Sequence, residues 1–222
     1  MASLVPLVET LRGGTRECVH FGALAVADTR GRVLAHAGDP QWLTFTRSTL
    51  KPLQALPFVQ GGGVQRFGLT RANLAMLCAS HSGEPMHVEQ VDQILGKAGV
   101  ERRRLQCGCH VPLFADLGVA PAPAAGTYDE RHHNCSGKHS GFLAWCVQHG
   151  QPIANYLDPA HPLQQAIRSA VAQAVGLLEH ELPMGIDGCS APNYAMPLAH
   201  LACGFARLAS MQDDPRFGES FV

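Results

Sequence analysis

The spacing of apolar residues changes along the chain from a period of two to a helical period, and this change restricts the fold strongly. Residues 20–37, HFGALAVADTRGRVLAHA, alternate around a polar turn at 28–31 and predict two paired strands. From residue 50 onward, apolar residues recur at helical spacing in segments separated by loops that contain Ser, Gly and His. This order predicts an α+β fold with a layered α/β/α arrangement, and residues 1–222 are read as a single domain.

Turn residues set the expected limits of the helices. The first helix is predicted from Leu50 to the glycines at 61–63, and Pro52 is tolerated because it falls in the first turn. The segment 107–128, rich in Pro, Gly and Ala, is predicted to be a long irregular connection. Further helices are predicted over 87–98 up to Gly99, within 132–150 up to Gly150, over 162–176, and after a loop that starts at residue 183.

Bulk composition excludes several classes of protein. Hydrophobic residues make up 46% of the 222 residues and charged residues 16%, which is typical of a soluble globular chain. The formal net charge of −1 favours a small ligand over nucleic acid or an anionic membrane surface. No secretory signal or apolar span of about 20 residues is found, so a cytoplasmic protein is expected, and its eight cysteines are expected to be reduced.

The stretch Ser48-Thr-Leu-Lys51 supports two interpretations. A serine hydroxyl becomes nucleophilic when a neighbouring base removes its proton, and a neutral lysine amine can be that base. A spacing of three places both side chains on one helix face. The ordinary alternative is that Ser48 caps a helix and Lys51 is a solvated helix residue, and a lone S-x-x-K motif does not decide between the two.

Three other loops carry groups that could act in catalysis or hold a metal. Ser80-His-Ser-Gly83 offers two hydroxyls and an imidazole, although turn formation explains Ser and Gly equally well. The segment 132–139, HHNCSGKH, and the segment 187–190, DGCS, would form a zinc site if their thiols met. Neither segment contains a C-x-x-C pair, and the spacing of Cys107 and Cys109 is shorter than in a zinc knuckle. A metal site therefore requires that the fold bring distant ligands together.

Taken together, these stretches resemble one known family. GDPQWLTFTRSTLKPLQALP, CASHSGEPMHVEQV, CGCHVP, HNCSGKHSGFL and IDGCSAPNYAMPL occur in the order found in the L-asparaginase II family, the thermolabile, Rhizobium-type class 3 asparaginases. The resemblance covers nearly the whole chain. It implies a fold similar to that of serine β-lactamases and glutaminases, hydrolysis of L-asparagine to L-aspartate and ammonia, and a homodimer.

The resemblance also implies roles for individual residues. The family's catalytic serines and lysine correspond to Ser48, Lys51 and Ser80. Its zinc ligands correspond to Cys135, Lys138 and Cys189, and a lysine can ligate a metal only as the neutral amine. Residues implied to contact substrate are Arg47, His81 and His139.

One departure from the family pattern concerns the C-terminal end. The family pairs its second serine, here Ser80, with a lysine well downstream, and the sequence ends at Val222 before that region. We therefore expect a C-terminal segment to be missing.

The expected mechanism is acyl transfer. A neutral Lys51 takes the proton of Ser48 as Ser48 attacks the amide carbon, Ser80 orients substrate or relays a proton, and backbone N–H groups at the helix start stabilise the oxyanion. Two alternatives stay open at this point. One is a zinc amidohydrolase in which a metal-bound hydroxide attacks, and the other is an inactive relative that only binds ligand.

Overall fold

The computed structural model describes residues 3–121, 124 and 126–210. The strands are β1 Val5–Arg12, β2 Thr15–Gly22, β3 Leu24–Ala27, β4 Val33–Ala37, β5 Leu43–Phe45, β6 Met184–Ile186 and β7 Pro192–Pro197. The α-helices are α1 Lys51–Gln54, α2 Leu56–Gln60, α3 Gly63–Arg66, α4 Arg71–Cys78, α5 Pro85–Ala98, α6 Leu113–Asp116, α7 Ser136–Gln148, α8 Pro162–Val175 and α9 Leu198–Ala209. Short 3₁₀ segments cover Arg47–Leu50, Arg102–Arg104, Glu130–His132 and Glu179–Glu181. The α+β class predicted from the sequence is confirmed.

Two antiparallel hairpins begin the chain. The predicted one is present as β3 paired with β4, with its turn at 28–31. The hairpin of β1 and β2 was not predicted, and residues 20–22 belong to it. Its turn is Gly13-Gly14, where φ angles of 55° and 82° suit a tight connection that only glycine enters without strain.

A third antiparallel sheet has the strand order β5-β7-β6 and joins distant parts of the sequence. Phe45 pairs with Ala195, and Gly185 pairs with Asn193. The prediction that residues from 183 to the last helix form a loop is therefore wrong. Strand β7 is buried over nearly its whole length, so it lacks the alternation that marks a half-exposed strand, and its terminal prolines resemble loop punctuation.

The single helix predicted from Leu50 to the glycines at 61–63 is interrupted in the structure. A 3₁₀ turn precedes α1, and α1 ends at Gln54 before α2 begins at Leu56. Pro57 explains the break, because it has no N–H to donate and its ring would clash with the carbonyl of Leu53 in a continuous helix. Ser48 is not the helix cap either, since Thr46 occupies that position.

Helix α7 packs closely on α4 because two glycines leave room. A Cβ at Gly137 would lie 2.3 Å from the Met76 carbonyl oxygen, and one at Gly141 would lie 2.9 Å from Leu77 Cδ2. No side chain can be accommodated at 2.3 Å from a backbone oxygen. The SGKHSG stretch therefore fixes the distance between two helices as well as carrying polar groups.

The other helices follow the prediction closely. Helix α5 starts two residues earlier than expected and ends at Gly99, whose φ is 68°, and α8 matches its predicted range. Helix α7 is capped by His149 rather than Gly150. The segment 107–128 is irregular apart from α6 where it is described.

One apolar core runs from Leu50 to Met196. Helices α5 and α8 contribute faces whose buried residues recur every three or four positions, such as Val91, Ile94, Leu95 and Ala98. Among the described residues, β1 to β4 contribute no member to this core. None of the described helices combines the length and apolarity needed to cross a membrane.

Candidate active site

The side chain of Lys51 is buried, and its amine meets three oxygen atoms. Nζ lies 2.7 Å from Ser80 Oγ, 2.8 Å from the Ala79 carbonyl oxygen and 3.1 Å from the Asn134 carbonyl oxygen. Burial lowers the pKa of Lys51, and the nearby charge of Lys138 acts in the same direction, whereas the thiols of Cys135 and Cys189 oppose it. The net effect lowers the pKa, so the Lys51 amine loses its proton more readily than a lysine in water does.

The two candidate serines differ in their relation to Lys51. Ser80 is exposed and its hydroxyl contacts the amine. Ser48 is half-buried in the 3₁₀ turn before Lys51, and its hydroxyl makes no hydrogen bond within the part of the chain that the structure describes. The structure therefore brings together Lys51 and Ser80 directly, while Ser48 and Lys51 share only a backbone hydrogen bond from the Lys51 N–H.

The backbone N–H groups expected to stabilise an oxyanion are largely occupied. The Arg47 N–H donates to Asn193 Oδ1 at 3.0 Å, the Thr49 N–H donates to the Thr46 carbonyl, and the Lys51 N–H donates to the Ser48 carbonyl. The segment from Arg47 to Lys51 thus offers fewer free N–H donors than the N-terminus of a regular helix would.

His81 is buried and held by two hydrogen bonds. The Gly83 N–H donates to Nδ1 at 3.1 Å, which assigns the proton to Nε2, and Nε2 donates to Ser136 Oγ at 2.8 Å. The Ser136 hydroxyl in turn donates to the Arg131 carbonyl. Burial lowers the pKa of His81 to about 3. Because both ring nitrogens are occupied, a substrate contact by His81 requires one of these bonds to open.

The predicted metal ligands lie together. Lys138 Nζ donates to Cys189 Sγ at 3.0 Å, and both side chains are buried. A hydrogen bond from the Cys135 thiol is the main cause that lowers the pKa of Cys189, followed by His139 and the Lys138 charge, while the pKa of Cys135 is raised. Cys135 also contacts Lys51, so this cluster adjoins the Lys51–Ser80 pair.

His139 is fully buried beside this cluster. Tyr156 accepts a hydrogen bond from the Gln106 N–H and donates its own hydroxyl proton to His139 Nδ1, which assigns the histidine proton to Nε2. The His139 ring also hydrogen-bonds to the Cys189 side chain, which is among the causes that lower the pKa of that thiol. His139 therefore connects Tyr156 to the thiol cluster.

Arg47 lies in a strained conformation at the edge of the site. Its φ of 50° is unusual for a residue with a side chain, and two hydrogen bonds of 3.0 Å between its backbone and the Asn193 side-chain amide hold it there. The Arg47 guanidinium pairs with Asp187 at 2.8 Å. These residues line an open pocket of about 240 Å³ together with Phe45 and Ile186.

Cys189 is placed by a turn that begins at Asp187. The Ser190 N–H donates to the Asp187 carbonyl, and Ser190 has a φ of 66°. Ser190 and Arg47 are the non-glycine residues with positive φ in the described part of the chain, and both flank the candidate site. Such outliers persist where the surrounding structure enforces them, often at functional sites.

Sequence reasoning missed two residues that organise the site. Asn193, which fixes Arg47, lies in the IDGCSAPNYAMPL stretch but was assigned no role, and Tyr156, which fixes His139, belongs to no stretch singled out above. A polar Asn within the otherwise apolar PNYAM stretch was the available signal for the first. No sequence signal marked Tyr156, since a lone Tyr in a polar loop is common.

The described residues contain no conventional cluster of metal ligands. Within the described ranges, no three His, Cys, Asp or Glu side chains are grouped as metal ligands. The predicted zinc ligands are two thiols and a lysine, so they do not form such a group of three. The lysine that the family pairs with its second serine would lie after Val222. Residues 211–222 themselves lie outside the described residues.

Comparison with known families gives a match for nearly the whole chain. The family described as L-asparaginase II matches residues 8–220. No individual curated protein matches the chain. The family match agrees with the motifs around Ser48, Ser80, Cys135 and Cys189. The chain therefore belongs to the L-asparaginase II family and is an amidohydrolase that acts on L-asparagine.

Proposed function

We propose that the chain hydrolyses L-asparagine by serine–lysine acyl transfer, with Lys51 as the general base. The observation that carries this proposal is the distance of 2.7 Å between Lys51 Nζ and Ser80 Oγ. Hydrogen-bond contact between nucleophile and base is the geometric requirement for this type of catalysis.

The two carbonyl contacts of Lys51 support its role as base. A neutral amine has two N–H bonds and one lone pair. The carbonyl oxygens of Ala79 and Asn134 accept the two N–H bonds, and the lone pair then faces the Ser80 hydroxyl. In this arrangement Lys51 accepts the Ser80 proton without moving.

The reaction then proceeds in two halves. Lys51 takes the hydroxyl proton as Ser80 Oγ bonds to the side-chain amide carbon of asparagine. The tetrahedral intermediate breaks its C–N bond, Lys51 returns the proton to the nitrogen, and ammonia leaves. Water attacks the resulting aspartyl ester with Lys51 again taking a proton, and the Ser80 oxygen leaves as hydroxyl, which releases aspartate.

Geometry favours Ser80 over the predicted Ser48 as nucleophile. Ser80 is exposed and contacts the base, whereas Ser48 makes no such contact. Ser48 lies three residues before Lys51, so in this proposal its hydroxyl takes the role of orienting substrate or relaying a proton. The roles predicted for the two serines are thus exchanged in this proposal.

The amino-acid end of the substrate is proposed to lie at Arg47. A guanidinium beside a carboxylate, as in the Arg47–Asp187 pair, matches the α-carboxylate and α-ammonium groups of asparagine. The adjoining pocket of about 240 Å³ is open to such a ligand.

The cluster of Cys135, Lys138 and Cys189 fits a zinc ion. Two thiols and an amine are ligands that zinc accepts, and the His139 imidazole lies beside them, in contact with Cys189. When bound, the ion would supply positive charge near the site. These three residues would hold it, and His139 would orient a neighbouring polar group or substrate.

Trapping of the ester intermediate tests this mechanism. Full-length protein mixed with L-asparagine is quenched in acid, and the aspartyl ester is located by peptide mass spectrometry. We expect the adduct on Ser80, its loss in Ser80→Ala, and its retention on Ser80 in Ser48→Ala. An adduct on Ser48 would restore the assignment made from the sequence.

Two further outcomes would replace the proposal. Turnover that survives in both serine variants but disappears on chelation would favour attack by a metal-bound hydroxide. Calorimetric binding of asparagine without ammonia release would identify a chain that binds without turnover. The homodimer and the cytoplasmic location expected from the sequence remain predictions.

A further inference from the structure

A second pocket, of about 200 Å³, lies between the β3–β4 turn and helices α8 and α9. No candidate active-site residue lines it. Its lining includes Arg30 of the turn, Gln41, Gly176 at the end of α8, and Arg207 of α9. No Asp or Glu is among its lining residues. The pocket is therefore positively charged.

Arg207 is the central group of this pocket. Its side chain is 9% exposed, Nε donates to the Thr29 carbonyl at 2.9 Å, and Nη1 donates to the Ala174 carbonyl at 2.7 Å. Nη2 makes no hydrogen bond with the described residues. No carboxylate of the described chain forms an ion pair with this guanidinium.

Within the described part of the chain the Arg207 guanidinium has no counter-ion, and a buried cation in such a state is unfavourable. Arginine stays protonated in proteins, so it cannot escape the desolvation cost by losing its charge. Carbonyl oxygens offset only part of this cost, whereas an anion on the remaining N–H groups would offset more.

Gly176 packs closely against the Arg207 guanidinium. Its φ is 73°, and a Cβ there would lie 3.0 Å from Arg207 Nη1 and 3.3 Å from Nη2. Any larger residue would press on the two nitrogen atoms. The glycine thus ends α8 and also leaves space around the charge.

Arg30 adds a second cation at the mouth of the pocket. It is exposed and makes no ion pair within the described residues. The described acidic residues closest in sequence to Arg30 are already engaged: Asp28 pairs with Arg32 at 2.6 Å, and Asp39 accepts the Gln41 N–H at 2.8 Å. Neither carboxylate lines the pocket.

We propose that this pocket binds a small oxyanion between Arg207 and Arg30, with the Gln41 amide as a further donor. Its volume suits an ion of the size of phosphate or a short carboxylate. The planar guanidinium groups recognise two oxygen atoms of such an ion at once. This site is separate from the proposed hydrolytic site and does not depend on that proposal.

Calorimetric titration of the full-length chain with inorganic phosphate tests the site, in a buffer without other oxyanions. We expect saturable binding with one phosphate per chain. Arg30→Gln should weaken it about tenfold or more, because one of two charged contacts is lost. Arg104→Gln, which removes an exposed arginine elsewhere, should leave the affinity unchanged.

Two additional measurements sharpen the test. Succinate in place of phosphate distinguishes a carboxylate ligand from a phosphate ligand, and tighter binding of either supports the pocket. Arg207→Lys keeps the charge but loses the planar pair of donors, and should weaken binding while urea unfolding shows a folded protein. Absence of binding by the unchanged chain, or equal weakening by Arg104→Gln and Arg30→Gln, would overturn the proposal.

Discussion

The side-chain amide of Asn193 bonds to both sides of the Arg47 backbone, donating to its carbonyl and accepting from its N–H at 3.0 Å each. This pair of bonds holds the positive φ of Arg47 immediately before Ser48 and Lys51. Strand β7 therefore determines where the segment that carries Ser48 and Lys51 begins.

Replacing this amide should affect both stability and turnover. Asn193→Ala removes both bonds and releases the strained backbone, so we expect the free energy of unfolding to fall by about 1–3 kcal/mol. Ammonia release should fall at the same time because Arg47 shifts. Urea unfolding and an ammonia assay measure these, with the exposed Asn155→Ala as control. Equal behaviour of the two variants would contradict the role of Asn193.

The packing of α7 on α4 predicts opposite effects for two glycine substitutions. Gly137→Ala would place a methyl group 2.3 Å from the Met76 carbonyl oxygen, so we expect a loss of about 1–3 kcal/mol in stability and a displaced Lys138. Gly96→Ala, within α5, meets no atom within 4 Å and should stabilise by about 0.5–1 kcal/mol. Thermal unfolding of both variants is the measurement. A stable Gly137→Ala protein would refute the close packing.

The neutral state proposed for Lys51 predicts a pH dependence of turnover. Burial lowers its pKa from the ordinary value of 10.5, and the base is the deprotonated form. Turnover should therefore rise with pH and level off once the pH exceeds the lowered pKa. Rates of ammonia release between about pH 6 and 10, with metal content measured at each pH, check this. A flat profile would argue against Lys51 as base.

The proposed zinc ligands predict the metal content of the purified protein. We expect about one zinc per chain by elemental analysis, and a large loss in Cys189→Ser because one thiolate ligand disappears. Cys146→Ser changes another buried cysteine, located outside the cluster, and should retain the metal. Zinc retained in full by Cys189→Ser would exclude this ligand set.

Buried His81 predicts a loss of stability in mild acid. Its pKa of about 3 in the folded chain lies below its ordinary value of 6.5, so the unfolded chain binds more protons between these values. The free energy of unfolding should then fall as the pH drops below 6.5, by about 1.4 kcal/mol per pH unit from this group. His81→Gln should reduce that slope. An unchanged slope in urea titrations at pH 5 and 7 would show that His81 is not the cause.

The parts of the fold with strong local patterns were predictable from the sequence. Helices α5 and α8 have regular apolar spacing and end at glycines with positive φ, so their limits follow from local chemistry. The single helix expected from Leu50 to the glycines at 61–63 was wrong because Pro57 breaks a helix that the apolar spacing alone would predict to be continuous. Strand β7 was missed because burial along nearly its whole length removes the alternation on which such predictions depend.

The sequence indicated residues that lie together at the candidate site, but it did not indicate which of them contact one another. Motifs identified Lys51, Ser80, Cys135, Lys138 and Cys189, and the structure places them next to one another. Which serine contacts Lys51 depends on how the 79–80 segment crosses α1, and no local signal in the sequence contains that information. The same holds for Tyr156 and Asn193, whose partners lie far away in the chain.

The three oxygen atoms around the Lys51 amine come from segments 28, 29 and 83 residues away along the sequence. No isolated helix or hairpin of this chain can assemble that environment. Ammonia release is thus a sensitive reporter of tertiary order, since slight separation of any of these segments would silence it while circular dichroism still recorded intact helices.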